Sequence, residues 1–332
     1  MILNGFFFNF YFILLISVLS GISCSNRFSV WVFLELNMLS FTILLCRLRR
    51  KKKLGIQYFI VQRVGSSIFL FACCFSNIVE TRLGNSLIEL RMFLKLGVFP
   101  FFQWYLEILE NCDWSRFFLL SSIQKILPLF LLSRVTSRFY VFVGILRVII
   151  GAIFRVGETR VKKILGYSRL FNGGWFLTTH FRVSVIGVYI FCYMVSSFRV
   201  IVLLFSSRRY LNFHALGRGA GLRVKICLIA GILSIAGFPP FLGFWGKLIV
   251  LNFLLTLNMV FSFFVLVVMS FLIIFVYLII CASGFNAVNL YKGLIKNERI
   301  FWSWVVIVTS AWLPWFLLGS YMRRVLFSEV LI

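Results

Sequence analysis

Residues 225–254 read KICLIAGILSIAGFPPFLGFWGKLIVLNFL, and this stretch decides the fold of the chain. It is almost entirely apolar and longer than the roughly 20 residues that one helical membrane crossing requires. Proline removes a backbone donor and interrupts a helix, so the adjacent Pro239 and Pro240 predict a broken or strongly tilted membrane helix. Lys247 lies in the same run, seven residues after Pro240.

The composition extends this interpretation to the whole chain of 332 residues. Hydrophobic residues make up 61% of it, charged residues 13%, and the mean hydropathy is +1.01. A soluble domain cannot enclose that much apolar surface, whereas a bilayer can act as its solvent. The chain is therefore predicted to be an all-α polytopic membrane protein with a single transmembrane domain over residues 1–332.

Apolar runs between charged or polar breaks predict about eleven transmembrane helices. The predicted spans lie near residues 6–23, 28–46, 55–77, 92–108, 117–133, 139–154, 164–181, 184–206, 225–254, 257–281 and 301–320. The links between them are too short for a soluble domain and contain no nucleotide-binding loop or catalytic triad. Hydrolysis of a nucleotide within this chain is therefore excluded.

The net charge of +25 comes mostly from Lys and Arg in the links between spans. In that position they orient a membrane protein by the positive-inside rule, so no nucleic-acid partner is expected. The basic links follow the second, sixth, eighth and tenth spans. The N-terminus is therefore predicted on the cytoplasmic or matrix side, with the C-terminus opposite. Eight cysteines without metal spacing and only two histidines, His180 and His214, predict no metal site.

Four ionisable residues inside the spans are the candidate functional residues. A charged group within the membrane costs a few kcal/mol, so it is expected to be paired or hydrated. Snorkelling of the amine to the interface is the alternative for Lys95 or Lys247, but it fits Glu35 and Lys125 poorly because apolar residues extend on both sides. Three of these residues lie near prolines that free backbone carbonyls. One acid and three lysines in low dielectric predict a proton relay: Glu35, Lys95, Lys125 and Lys247.

The prolines and the remaining intramembrane arginines support weaker expectations. All five prolines lie inside predicted spans, where each predicts a hydrated break or a simple kink: Pro100, Pro128, Pro239, Pro240 and Pro314. Among the arginines, Arg63 and Arg169 are expected inside the helix bundle. Arg147 and Arg199 are expected to reach an interface, and no function is assigned to any of the four.

Seven motifs in order resemble the antiporter-like subunits of the membrane arm of respiratory complex I, in their mitochondrial form. The resemblance covers about residues 28 to 250. The motifs are LELNML at 34–39; YF at 58–59 with Gln62; KLG at 95–97 with Pro100, Phe101 and Trp104; QK at 124–125 with Pro128; Thr159 with KKILGYS at 162–168; GW at 174–175; and LS at 233–234 with GFPP at 237–240, GF at 243–244 and Lys247.

The resemblance implies the antiporter-like subunit fold with two broken helices, around Pro100 and around Pro239. It implies an input-side ion pair of Glu35 with Lys95, a central relay at Lys125 and an output-side lysine at Lys247. Three positions depart from the family pattern: Phe102 and Asn172 stand where the family usually has histidine, and Leu106 stands where it has proline. These departures leave the details of the proton path open.

The same resemblance implies a subunit of the proton-translocating NADH:ubiquinone reductase, a multi-pass protein of the mitochondrial inner membrane. Its N-terminus would face the matrix and its C-terminus the intermembrane space. The expected partners are other membrane-arm subunits, including antiporter-like paralogues, together with accessory subunits and lipids. No cofactor is expected in this chain, because NADH, FMN, iron–sulfur clusters and ubiquinone would bind partner subunits.

Two alternatives stay open at this point. A free-standing cation/proton antiporter of related fold would carry the same buried charges, although the short length of the chain argues against it. A structural membrane-arm subunit with a decayed channel would explain the missing histidines. The retention of all four buried charges argues against decay, because such groups are costly to keep.

Overall fold

The computed structural model describes residues 2–46, 52–78, 81–134, 139–179, 182–206, 222–239 and 241–286. These residues form thirteen helices and no strand, which confirms the all-α prediction. The helices are α1 Ile2–Ser23, α2 Arg27–Cys46, α3 Lys52–Ile78, α4 Thr81–Leu96, α5 Gln103–Asn111, α6 Trp114–Ser121, α7 Ile123–Leu132, α8 Phe139–Ile153, α9 Val161–Thr178, α10 Val183–Ser206, α11 Leu222–Ala236, α12 Leu242–Thr256 and α13 Val260–Asn286.

Five stretches of the described chain are long and apolar enough to cross a membrane as judged by length and composition. They are Arg27–Cys46, Lys52–Cys74, Trp114–Leu132, Val183–Phe205 and Val260–Ile280. Shorter apolar helices include α8 and α12, each of 15 residues. The predicted span at 301–320 lies outside the described residues, as do Pro240, Pro314, His180 and His214.

The outer surface of the helices is largely apolar, and many polar side chains are buried between the helices. On α13 the side chains of Phe261, Phe264, Phe271 and Phe275 are all more than 60% exposed. Buried polar side chains, by contrast, occur on most of the other helices and include Asn37 on α2. Water would drive the opposite arrangement, whereas a bilayer accepts apolar outer faces and rewards hydrogen bonds between helices.

The chain divides into two compact units, residues Met1–Gly151 with Leu165–Val183, and residues Ala152–Ile164 with Ser184–Ile332. In the first unit α2 packs between α1 and α3, α3 packs on α4 and α5, and α7 contacts α1, α4 and α6. In the second unit α11, α12 and α13 contact one another.

The break predicted near Pro100 is present, but the helix before it begins earlier than the hydropathy indicates. The prediction of a single span at 92–108 is wrong, because α4 runs from Thr81 to Leu96 and the next helix begins only at Gln103. The first turns of α4 contain Arg82, Asn85 and Glu89, which lower the hydropathy without preventing a helix. Helix formation is governed by backbone hydrogen bonds and packing, not by apolar content alone.

The span predicted at 117–133 also contains an interruption that the sequence does not indicate. Ser122, with φ −120° and ψ −73°, separates α6 from α7. Pro128 instead lies within α7 without ending it. The interruption places Lys125 in the first turn of a new helix.

Candidate functional site

The first broken helix ends in a glycine turn next to Lys95. Gly97 has φ +63°, and its N–H donates to the carbonyl of Leu94, while the N–H of Val98 donates to the carbonyl of Phe93. This pair of bonds is a Schellman motif, for which a left-handed glycine is favoured. The turn places the Lys95 side chain, which is half-buried, at the end of α4.

The structure brings Lys95 and Lys125 to one small cavity in the first unit. The cavity has a volume of about 10 Å³, close to the minimum that holds one water molecule. Its lining consists of two lysines, two tyrosines, an amide and one aliphatic side chain: Lys95, Lys125, Tyr58, Tyr105, Gln124 and Leu120. Polar groups therefore surround a space that suits a single bridging water.

Lys125 is fixed by a carbonyl on one side and an aromatic ring on the other. Its side chain is buried, and its Nζ donates to the backbone carbonyl of Arg169 at 3.3 Å. The same Nζ lies 4.6 Å from the centre of the Tyr105 ring, a distance suited to a cation–π contact. Sequence reasoning did not select Tyr105, because an aromatic residue in an apolar run gives no signal of its own.

Glu35 pairs with an arginine and not with the lysine that the resemblance implies. Arg63 Nη1 lies 2.9 Å from Glu35 Oε2, and both residues stand near the middle of their helices, α2 and α3. Lys95 makes no ion pair within the described residues. The Glu35 side chain is buried, whereas that of Arg63 is 57% exposed, so the expectation of Arg63 in the bundle interior is wrong.

Lys247 stands at the second break, in the second unit. Gly237 has φ +79° and ends α11, and α12 begins at Leu242. The buried Lys247 reaches back across the break and its Nζ donates to the carbonyl of Ala236. The broken helix predicted in residues 225–254 is thus present, with the lysine on the last carbonyl of its first half.

Two of the family's histidine positions are filled by groups that lie in ordinary helical or aromatic contacts. Phe102 stacks against Phe99 with the ring centroids 6.5 Å apart, and Gln103 beside it is exposed. Asn172 is buried on α9, where its amide nitrogen donates to the carbonyl of Ser168 at 2.8 Å.

Buried arginines are the feature that sequence reasoning most underrated. Arg169 is buried as expected, but the expectation that Arg147 reaches an interface is wrong, because the residue is 2% exposed. The signal was available, since apolar residues extend on both sides of Arg147 within α8, as they do around Lys125. The described arginines that are buried in the same way are Arg91, Arg116, Arg147, Arg155 and Arg169.

Comparison with known proteins identifies a family over most of this architecture. The model of the family described as NADH:quinone oxidoreductase/Mrp antiporter, transmembrane, matches residues 24–273. Proteins named NADH-ubiquinone oxidoreductase chain 2 are similar over most of their length. That of Anopheles gambiae is 29% identical over 87% of this chain and 89% of its own, and that of Aedes aegypti is 30% identical over 81% and 83%.

Solved structures share the fold at low sequence identity. A chain of respiratory complex I from Thermus thermophilus matches with a TM-score of 0.77 and 18% identity, over 92% of this chain and 76% of that one. A chain of the Mrp complex from Dietzia sp. matches with a TM-score of 0.69 and 17% identity, over 86% and 62%. The predicted antiporter-like fold is confirmed.

Proposed function

Because the chain belongs to the NADH:quinone oxidoreductase/Mrp antiporter family, we propose that it is a core membrane-arm subunit of respiratory complex I that translocates protons. The similarity to chain 2 of NADH-ubiquinone oxidoreductase over more than four fifths of the chain supports this assignment. The chain takes part in NADH:ubiquinone reduction without a redox site of its own. NADH, FMN, iron–sulfur clusters and ubiquinone bind partner subunits.

The observation that carries the proposal is the cavity shared by Lys95 and Lys125. A water there can accept a hydrogen bond from one amine and pass a proton to the other, since the cavity has room for about one molecule. Two amines that line one small cavity repel each other when both are charged, so a proton on one disfavours a proton on its neighbour. Moving one charge therefore switches the next group.

Glu35 and Lys247 complete the proposed relay at its input and output sides. Glu35 acts together with Arg63, its partner in the structure. Lys247 passes on the proton that its amine carries while it is bonded to the carbonyl of Ala236. Quinone reduction in neighbouring subunits drives the charges by electrostatics along the membrane arm. The chain lies in the mitochondrial inner membrane, with its N-terminus in the matrix and its C-terminus in the intermembrane space, among paralogous and accessory subunits and lipids.

Replacement of the central lysine tests the proposal. Lys125→Met keeps the apolar stem and removes the charge, so we expect an assembled complex with a lower proton-to-electron ratio in reconstituted vesicles. Lys163→Met is the matched control, because Lys163 pairs with Glu158 at the start of α9 and lines no part of the cavity. An unchanged ratio in assembled Lys125→Met complex would contradict the relay and favour a decayed channel.

The free-standing cation/proton antiporter is the second candidate, and the match to an Mrp complex chain is the observation in its favour. Migration on a native gel separates the two. A membrane-arm subunit runs in a very large assembly with NADH dehydrogenase activity, whereas a free antiporter runs as a small oligomer. Finding the chain in a small species alone would reject the complex I assignment.

A further inference from the structure

The two helix breaks share a glycine with positive φ and the same backbone hydrogen bonds. The sequences are GVFPF at 97–101 and GFPPF at 237–241, each opening on a glycine with positive φ. After the first glycine, the N–H of Phe101 donates to the carbonyl of Val98 at 2.7 Å. After the second, the N–H of Phe241 donates to the carbonyl of Phe238 at 3.0 Å. The same backbone hydrogen bond thus closes both segments.

The hydrogen bonds before the two glycines also correspond. Gly237 donates to the carbonyl of Ser234 and Phe238 to that of Leu233, as Gly97 donates to Leu94 and Val98 to Phe93. A Schellman motif satisfies these two inner carbonyls and leaves the last two of the helix without a bond from the helix itself. The final carbonyl of each helix belongs to Leu96 in α4 and to Ala236 in α11.

Each of these last carbonyls accepts a hydrogen bond from a buried cation. Arg147 Nη2 donates to the carbonyl of Leu96 at 3.0 Å, and Lys247 Nζ donates to that of Ala236. A cation at a helix C-terminus also complements the helix dipole. Arg147 therefore caps the helix before the first break, as Lys247 caps the helix before the second.

The two capping residues differ in the helix that carries them and in what the nearby lysine contacts. Lys247 lies on the helix that follows its break, so the relay lysine is itself the cap. Arg147 comes from α8, and Lys95 on the broken helix is left to line the cavity with Lys125. The arginine is held in place by α9, where a Cβ on Gly173 would lie 2.8 Å from Arg147 Cζ.

We propose that Arg147 is a positioning residue that caps α4 so that the Lys95 amine remains available to the cavity; this rests on the relay proposed above. A guanidinium keeps its proton, so it can hold the carbonyl of Leu96 without exchanging a proton with the relay. Without it, the carbonyl of Leu96 loses its buried donor, and the end of α4 that carries Lys95 is no longer fixed beside the cavity.

Variants of Arg147 and Lys95, alone and together, test the proposal in the intact complex. If Arg147 acts through Lys95, Arg147→Met lowers the proton-to-electron ratio by the same factor as Lys95→Met, and the double variant shows no further loss. Arg147→Lys retains a charged donor and restores part of the ratio. Arg116→Met, which removes a buried arginine paired with Asp113, serves as the control for destabilisation and leaves the ratio of the assembled complex unchanged.

The possible failures are distinguishable. A normal ratio in Arg147→Met, with a lowered ratio in Lys95→Met, overturns the role of Arg147 and leaves the relay intact. A lower proton-to-electron ratio in the double variant than in either single variant overturns it as well, because two independent sites each contribute their own loss. A normal ratio in Lys95→Met rejects the relay itself. If Arg147→Met does not assemble, Arg147→Gln keeps an amide donor and is compared with Lys95→Met in the same way.

Discussion

At the scale of single residues, charge inside an apolar run was a sufficient signal to find the candidate site. Lys125 and Lys247 are buried as their positions in the sequence predict, and Lys95 lines the same cavity as Lys125. The partner of Glu35 could not be predicted in this way. Whether Arg63 or Lys95 meets the carboxylate depends on how α3 and α4 are rotated against α2, and hydropathy does not determine that rotation.

The ion pair of Glu35 and Arg63 leads to a prediction about stability. Removing one partner leaves the other charged within the membrane, so Glu35→Gln and Arg63→Gln each lower the melting temperature of the complex. The expected cost is about 1 kcal/mol or more, since hydrogen bonds to charged groups contribute roughly 1.5–3 kcal/mol and exposure of Arg63 reduces that value.

The double variant Glu35→Gln/Arg63→Gln removes both charges and is expected to be more stable than the less stable single variant. Thermal denaturation of the purified complex measures all three variants. If the two single effects simply add in the double variant, the pair does not exist in the assembled protein.

At the scale of elements, the breaks matter more than the helices they divide. Proline signals located both breaks in the sequence, but the turn itself is made by Gly97 and Gly237, which the proline rule does not select. The interruption at Ser122 had no signal at all. The local sequence is compatible with a continuous helix.

A substitution in the first turn tests the importance of this geometry. Gly97→Ala places a Cβ in the left-handed region, which costs about 1–2 kcal/mol, and 2.8 Å from Tyr105 Cβ. We expect a lower melting temperature and a lower proton-to-electron ratio, because Lys95 and Tyr105 both shift. Gly187→Ala is the matched control: its Cβ meets nothing within 4 Å on α10, so no loss is expected. Equal behaviour of the two variants would contradict the account of the turn.

At the scale of the whole molecule, composition and the order of motifs were enough to predict an all-α membrane fold of the antiporter-like kind. The architecture follows from the bilayer as solvent, which accepts the phenylalanines on the outside of α13. The orientation rests on basic links, most of which lie outside the described residues. Sequence alone therefore still carries that prediction.

Labelling from one side of the membrane tests the orientation. The link between α8 and α9 is predicted on the matrix side, and Lys163 in the first turn of α9 has a side chain that is 34% exposed. A membrane-impermeant amine reagent is expected to modify Lys163 in inverted inner-membrane vesicles and not in intact mitoplasts, as read by mass spectrometry. Lys163→Arg is the control for the modified peptide. Modification in intact mitoplasts would reverse the topology.

The central claim is that Lys95 and Lys125 exchange a proton through the cavity between them. A density map of the intact complex that resolves ordered water tests this most directly. The account predicts a water within hydrogen-bond distance of both amines, beside Tyr58 and Gln124. A dry cavity closed by an apolar side chain, or a Lys95 amine bound to the carbonyl of Leu96 in place of Arg147, would contradict it.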